Sequence, residues 1–190
     1  MTLAGLEQIV AVVGNRVIGV STDRGNLLWE SPWPGSPPAQ PVILSDNRIF
    51  VSSGSEGLAL EITREGDRLS ASELWRTNRM KNRISSSVYH EGFIYGIDLG
   101  ILACIDAATG ELKWKGGRYG DGQTLLAFGH LVITTEEGEI VLVRATPDAH
   151  QEVARTTAVE GATRNHPALV DGFLLVRNAR QMAAFDLRPR

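Results

Sequence analysis

An internal repeat constrains this chain more than any other feature. Three of its four tryptophans, Trp29, Trp75 and Trp114, are spaced by 46 and 39 residues. Each closes a similar phrase: Gly25-Asn26-Leu27-Leu28-Trp29, Ser72-Glu73-Leu74-Trp75 and Gly110-Glu111-Leu112-Lys113-Trp114. A second phrase, a turn followed by an apolar burst, recurs at Asp46–Val51, Glu91–Tyr95, Gly129–Ile133 and Asp171–Val176. Taking Asn47, Gly92, Gly129 and Gly172 as equivalent, its spacings are 45, 37 and 43 residues. A period of about 42 residues belongs to propeller blades or to helical solenoids. The bursts decide between them. They are short, rich in Ile, Val, Phe and Tyr, and bounded by Gly, Asn, Asp and Ser, which is strand chemistry. They are also nearly continuous in apolar residues, as strands covered on both faces are. Stacked propeller blades cover their inner strands in that way.

Lettering strands from A (inner) to D (outer), the first unit runs through Gln8–Val13, Arg16–Ser21 and Leu27–Glu30, with no clear A. The second runs Pro41–Leu44, Arg48–Ser53, Leu58–Thr63 and Ser70–Trp75; the third runs Ile84–Tyr89, Phe93–Asp98, Ile101–Asp106 and Leu112–Lys115. The fourth runs Gln123–Phe128, His130–Thr134, Glu139–Ala145 and Gln151–Thr157. The last supplies Pro167–Val170, Phe173–Arg177 and Gln181–Asp186, without a D. The expectation is an all-β propeller of four-stranded antiparallel blades, in about 4–5 repeats, forming one domain over 1–190 with blades near 7–31, 40–76, 84–115, 122–157 and 166–187. Closed propellers use about four to eight blades. The chain is therefore read as an incomplete ring, with a compact five-bladed ring as the alternative.

Composition removes several function classes. The 190 residues are 43% hydrophobic and 22% charged, an ordinary globular composition long enough for a sizeable core. A net charge of −3 argues against a general basic surface for nucleic acid. The lone Cys104, inside Ile101-Leu102-Ala103-Cys104-Ile105, reads as a small core residue and permits neither an intrachain disulfide nor a CxxC site. Glu7 stands where a secretory leader needs apolar residues, and no run approaches the roughly 20 that a membrane helix requires. Neither a leader nor membrane insertion is expected from this stretch.

One copy of the repeat is specific. Ala103-Cys104-Ile105-Asp106-Ala107-Ala108-Thr109-Gly110-Glu111-Leu112-Lys113-Trp114 resembles the repeat of pyrroloquinoline-quinone (PQQ)-like β-propellers, shared by quinoprotein dehydrogenases and BamB-type outer-membrane assembly factors. Val20–Trp29 is similar, with Ser21 in place of the leading Asp. The phrase has a physical rationale. Asp106 and Thr109 can bond turn backbone, Gly110 supplies the positive φ of a tight hairpin, and each Trp offers a wide ring to the next blade. Trp29, Trp75, Trp114, Asp106, Thr109 and Gly110 are accordingly read as structural blade-docking residues.

Catalytic signatures are weak. Ser85-Ser86-Ser87 lacks a GxSxG elbow and is read as the start of an inner strand. His90, His130 and His150 are read as solvated turn residues, and Glu136, Glu137 and Glu139 as a solvated turn rather than an acid/base pair. The resemblance raises a quinoprotein oxidoreductase fragment as the alternative. A single Cys excludes the adjacent-cysteine disulfide of many such enzymes, and no matching calcium-ligand set is found, so no cofactor, metal or catalytic residue is assigned. Four basic residues in the eight positions from Arg76 to Arg83 stand out in a net-acidic chain. With Gly161–Pro167 and Pro32-Trp33-Pro34-Gly35, that segment is expected on one rim of the propeller. It would offer Trp33, Arg79, Lys81, Arg83, Arg164, Asn165 and His166 to a ligand. The reading is a non-enzymatic binding or scaffold module resembling BamB-type factors, for a protein or carbohydrate-like partner, with self-association through open blade edges. The resemblance implies a periplasmic setting.

Overall fold

The structure, a computed structural model, describes residues 1–34 and 39–188. Gly35, which the sequence groups with Trp33, lies outside the described residues. Among the described residues nineteen strands form five antiparallel sheets, each meandering outward in chain order. The first holds β1 (Thr2–Leu3), β2 (Leu6–Val13), β3 (Arg16–Ser21) and β4 (Leu27–Pro32). The second holds β5 (Val42–Ser45), β6 (Arg48–Ser52), β7 (Gly57–Glu65) and β8 (Arg68–Thr77). The third holds β9 (Val88–His90), β10 (Phe93–Asp98), β11 (Ile101–Asp106) and β12 (Leu112–Arg118). The fourth holds β13 (Gln123–Ala127), β14 (His130–Thr134), β15 (Glu139–Arg144) and β16 (Glu152–Thr157). The fifth has three strands, β17 (Ala168–Val170), β18 (Phe173–Arg177) and β19 (Met182–Asp186).

Two expectations change. The first sheet has an inner strand after all, the two-residue β1, too short to announce itself as a burst. Ala4 (φ 50) and Gly5 (φ 73) turn it back onto β2 through a mirror-image hairpin turn whose twist suits antiparallel strands. In the third sheet the inner strand starts at Val88, not Ile84. Ser85 and Ser87 are buried in the preceding loop, where the Ser87 hydroxyl donates to Asn82 Oδ1.

Among the described residues four hydrophobic clusters join consecutive sheets. Leu3, Val17 and Trp29 pack against Ile49, Leu58 and Leu60. Phe50 and Ala59 pack against Ile94, Ala103 and Ile105, and Tyr95, Cys104 and Trp114 against Leu131, Ile133 and Val143. Val132 and Leu142 pack against Leu174 and Val176. Among the described residues these clusters link the sheets in one series, first to fifth, as an arc of five blades. Burial pushes the Cys104 thiol up to about 12. Below that value it stays a neutral core side chain. Iodoacetamide at pH about 8 should leave it untouched in the folded chain and alkylate it in denaturant; rapid labelling of the native chain would contradict this packing.

The repeated phrase works across blades. Asp106 Oδ1 accepts from the backbone N–H of Ala108 (2.8 Å) and Thr109 (3.1 Å). Gly110 has φ 75, and a Cβ there would lie 2.5 Å from the Trp75 ring of the preceding blade. Glycine is thus required both by the turn and by the ring that lies on it. The Trp75 and Trp114 indole N–H groups donate to the Ala107 and Thr146 carbonyls of the following blades, at 3.2 and 2.8 Å. Trp29 instead donates to Gln8 Oε1 of its own sheet.

Candidate functional site

The segments leading out of the second, third and fourth sheets gather at one end of the arc. Backbone bonds stitch them to the turns between second and third strands. Leu99 N–H donates to Lys81 O (3.2 Å), Tyr119 N–H to Gly100 O (2.9 Å), Glu136 N–H to Tyr119 O (2.9 Å) and Thr163 N–H to Glu136 O (2.9 Å). Gln123, 1% exposed, adds a keystone. Its amide nitrogen donates to the carbonyls of Ile84 and Arg164, both at 3.2 Å, and so draws together loops about 80 residues apart in sequence.

On this scaffold the predicted basic residues separate into roles. Arg83 lies 3.7 Å from Asp121, and Arg164 lies 3.6 Å from the same carboxylate and 2.6 Å from Glu136. The two arginines, 81 positions apart, therefore share one acidic residue. Arg79 is exposed at a separate groove lined by Ser55, Glu56, Arg76, Thr77 and Asn78. Lys81 is used internally: its ammonium donates to Asn78 O (2.6 Å) and pairs with Asp98 (3.2 Å), a carboxylate only 2% exposed that also binds Lys115 at 2.5 Å. The Asn165 amide donates to Arg177 O at 3.4 Å. His166 lines the cleft inside the arc.

Trp33 is a correction. It is 1% exposed and belongs to the cluster between the first two sheets, so its ring is not offered to a ligand. A large aromatic after a strand gains more by burial in a blade interface than on a wet rim. His150 is a second correction: it stacks edge-on against Trp114 and bonds the Tyr119 hydroxyl at 2.8 Å, rather than standing in solvent.

The cleft, about 420 Å³, is walled by the first strands of three sheets and their lead-in residues. Gln40, Ser86, Thr124 and His166 supply polar groups, and Val42 and Leu125 apolar surface. The Thr124 hydroxyl has no hydrogen-bond partner among the described residues. Sequence reasoning missed Asp121, Gln123, Thr124 and the role of Glu136, because isolated residues in turns carry no spacing signal. Only the converging loops give them partners.

Electrostatics tie the rim to pH. The Arg164 guanidinium, helped by the Asp121 N–H, holds the Glu136 carboxyl below the ordinary glutamate range. A depressed carboxylate contributes above the ordinary range and releases its contact as pH falls through the folded-state value. Carbon-13 NMR of Glu136 should therefore show a lowered midpoint that returns toward the ordinary range in Arg164→Gln. An unchanged midpoint in that variant would remove Arg164 as the cause.

The family described as outer membrane protein assembly factor BamB matches residues 1–116. The chain belongs to this family, of PQQ-like, BamB-type repeat propellers. Among solved structures, BamB from Moraxella catarrhalis aligns with a TM-score of 0.70 at 16% identity, over 97% of this chain and 58% of that one. A computationally designed protein, Ika8, aligns with a TM-score of 0.67 at 14% identity, over 94% of this chain and 57% of that one. The chain thus spans under two thirds of each structure's length. No curated protein matches it. These likenesses establish the propeller architecture. Among the described residues no three His, Cys, Asp or Glu side chains gather as a metal site.

Proposed function

We propose that this chain is a non-catalytic, protein-binding scaffold of the BamB type, working in the periplasm and engaging its partner through the rim that carries Arg79, Arg83 and Arg164. The observation behind this reading is the shared Asp121, with which Arg83 and Arg164 both pair although they come from loops of different blades. Arginines held in place lose less entropy on binding than free ones, and arginine is prominent among interface hot spots. Beside them the cleft offers a mixed apolar and hydroxyl-bearing wall suited to an extended segment of a protein partner.

A photo-crosslinking residue at Arg79 or Arg83, introduced into the chain in its native cells, tests this. The expected adduct is a component of outer-membrane protein assembly. The double variant Arg83→Glu, Arg164→Glu should weaken capture of that component at least about tenfold while the melting temperature stays within a few degrees, since exposed charges contribute little to stability. Adducts that avoid assembly components, or a calcium-dependent dehydrogenase activity on adding PQQ, would overturn the reading.

A further inference from the structure

At the opposite end of the sheets from the rim, Phe128 is 95% exposed. It occupies the first position of the β13–β14 hairpin turn with φ 49, followed by Gly129 at φ 70. That left-handed conformation favours Gly, Asn and Asp and disfavours a bulky ring. The equivalent turns of the third and fifth sheets carry Glu91 and Asp171 there. Folding alone thus gains nothing from an aromatic at this position: the ring is wet and its backbone strained.

The ring stands at the edge of an apolar cavity of about 360 Å³ between the fourth and fifth sheets, walled by Val132, Leu142, Leu169 and Leu187, with His130 and the Asp186-paired Arg188 also on its lining. A projecting aromatic knob and an apolar hole of more than its size therefore share one patch. The rim of the patch carries opposite charges. Arg144 follows Leu142 on the same face of β15, and Asp171 precedes the cavity-lining Gly172. Both are exposed and neither has an ion-pair partner among the described residues.

We infer that this patch is a two-fold interface with a second copy of the chain, in which Phe128 of each copy fills the other's cavity and Arg144 of each faces the other's Asp171. A two-fold contact requires a surface complementary to itself. Knob and hole on one patch, with unpaired charges of both signs at its edge, meet that requirement. The surface is distinct from the rim proposed to bind the assembly partner, so the inference stands whether or not that rim binds protein.

Sedimentation velocity of the full chain up to about 100 µM, the range in which a small interface associates, tests it. The chain should show a monomer–dimer equilibrium, and Phe128→Asn should remain monomeric. At a dilution where both are monomers, Phe128→Asn should melt about 2–4 °C higher, because asparagine suits the turn. Arg144→Asp should weaken the dimer at least about tenfold, and adding Asp171→Arg should restore it. A strictly monomeric parent chain, a dimer that survives Phe128→Asn, or a lower melting temperature for that variant would each overturn the inference. A surviving dimer would place association on the open blade faces instead.

Discussion

Trp114→Ala is expected to destabilise the chain by about 3–5 kcal/mol, a large part of the roughly 5–15 kcal/mol that such a fold possesses. The ring is 9% exposed and lies between the third and fourth blades, tilted against Tyr95 and edge-on to His150. Its indole N–H holds the Thr146 carbonyl of the fourth blade. Truncation opens a cavity in the cluster of Tyr95, Leu102, Leu131 and Ile133 and leaves that carbonyl without its donor. Since blades meet only their neighbours, the loss is concentrated at one of the four interfaces. Thermal melting should drop by about 6–20 °C. Hydrogen exchange should accelerate in β9–β16 before it does in β2–β8. A uniform, small change would show that the clamp is not what couples these blades.

Asn82→Ala carries the second large effect. Asn82 is fully buried in the segment between the second and third sheets. Its carbonyl oxygen accepts from the hydroxyls of Ser52 and Ser87, and its amide donates to the Ile97 carbonyl at 3.1 Å. Alanine removes all of these bonds and strands three buried polar groups. At about 1–3 kcal/mol for each buried group left unsatisfied, and with some relaxation, the expected cost is about 3 kcal/mol. That corresponds to a melting temperature about 6–12 °C lower. The rim suffers with the fold, because Arg79, Lys81 and Arg83 flank this anchor within the same segment. Partner capture should therefore weaken even below the melting transition. Retained stability and retained capture together would show that the buried polar knot is dispensable.

Much of the architecture is legible in the chain. The bursts at Arg48–Ser52, Phe93–Asp98, His130–Thr134 and Phe173–Arg177 become second strands of four sheets, as their turn-bounded β-branched and aromatic runs require. The Trp-ended phrases become last strands of the first three sheets. What escaped was β1, whose two residues are shorter than the pattern that detects strands, and the true start of β9, which the sequence pattern sets at Ile84 whereas the strand keeps three residues; both strands are held by pairing rather than by propensity. The basic segment Arg76–Arg83 is visible as composition, but the division of labour within it is not. Lys81 spends its charge on a buried Asp98 seventeen positions away, while Arg83 and Arg164 share Asp121. Trp33 looks like a rim residue beside prolines and is in fact core.

By itself, then, the sequence determined a repeat of four-stranded blades docked through tryptophan and a Gly-containing turn. Strand period and turn chemistry act between neighbours in the repeat and recur from copy to copy, and the second and third copies add the fit of Trp75 on Gly110. The rim, the cleft and the knob at Phe128 were decided only in three dimensions. Gln123 binding two loops, Thr124 facing the cleft without a partner, and Phe128 standing beside a cavity built from two sheets are each set by residues about 40 to 80 positions apart. No local spacing encodes such distances; the stacking of blades does, because it brings the same edge of every sheet to the same end of the arc.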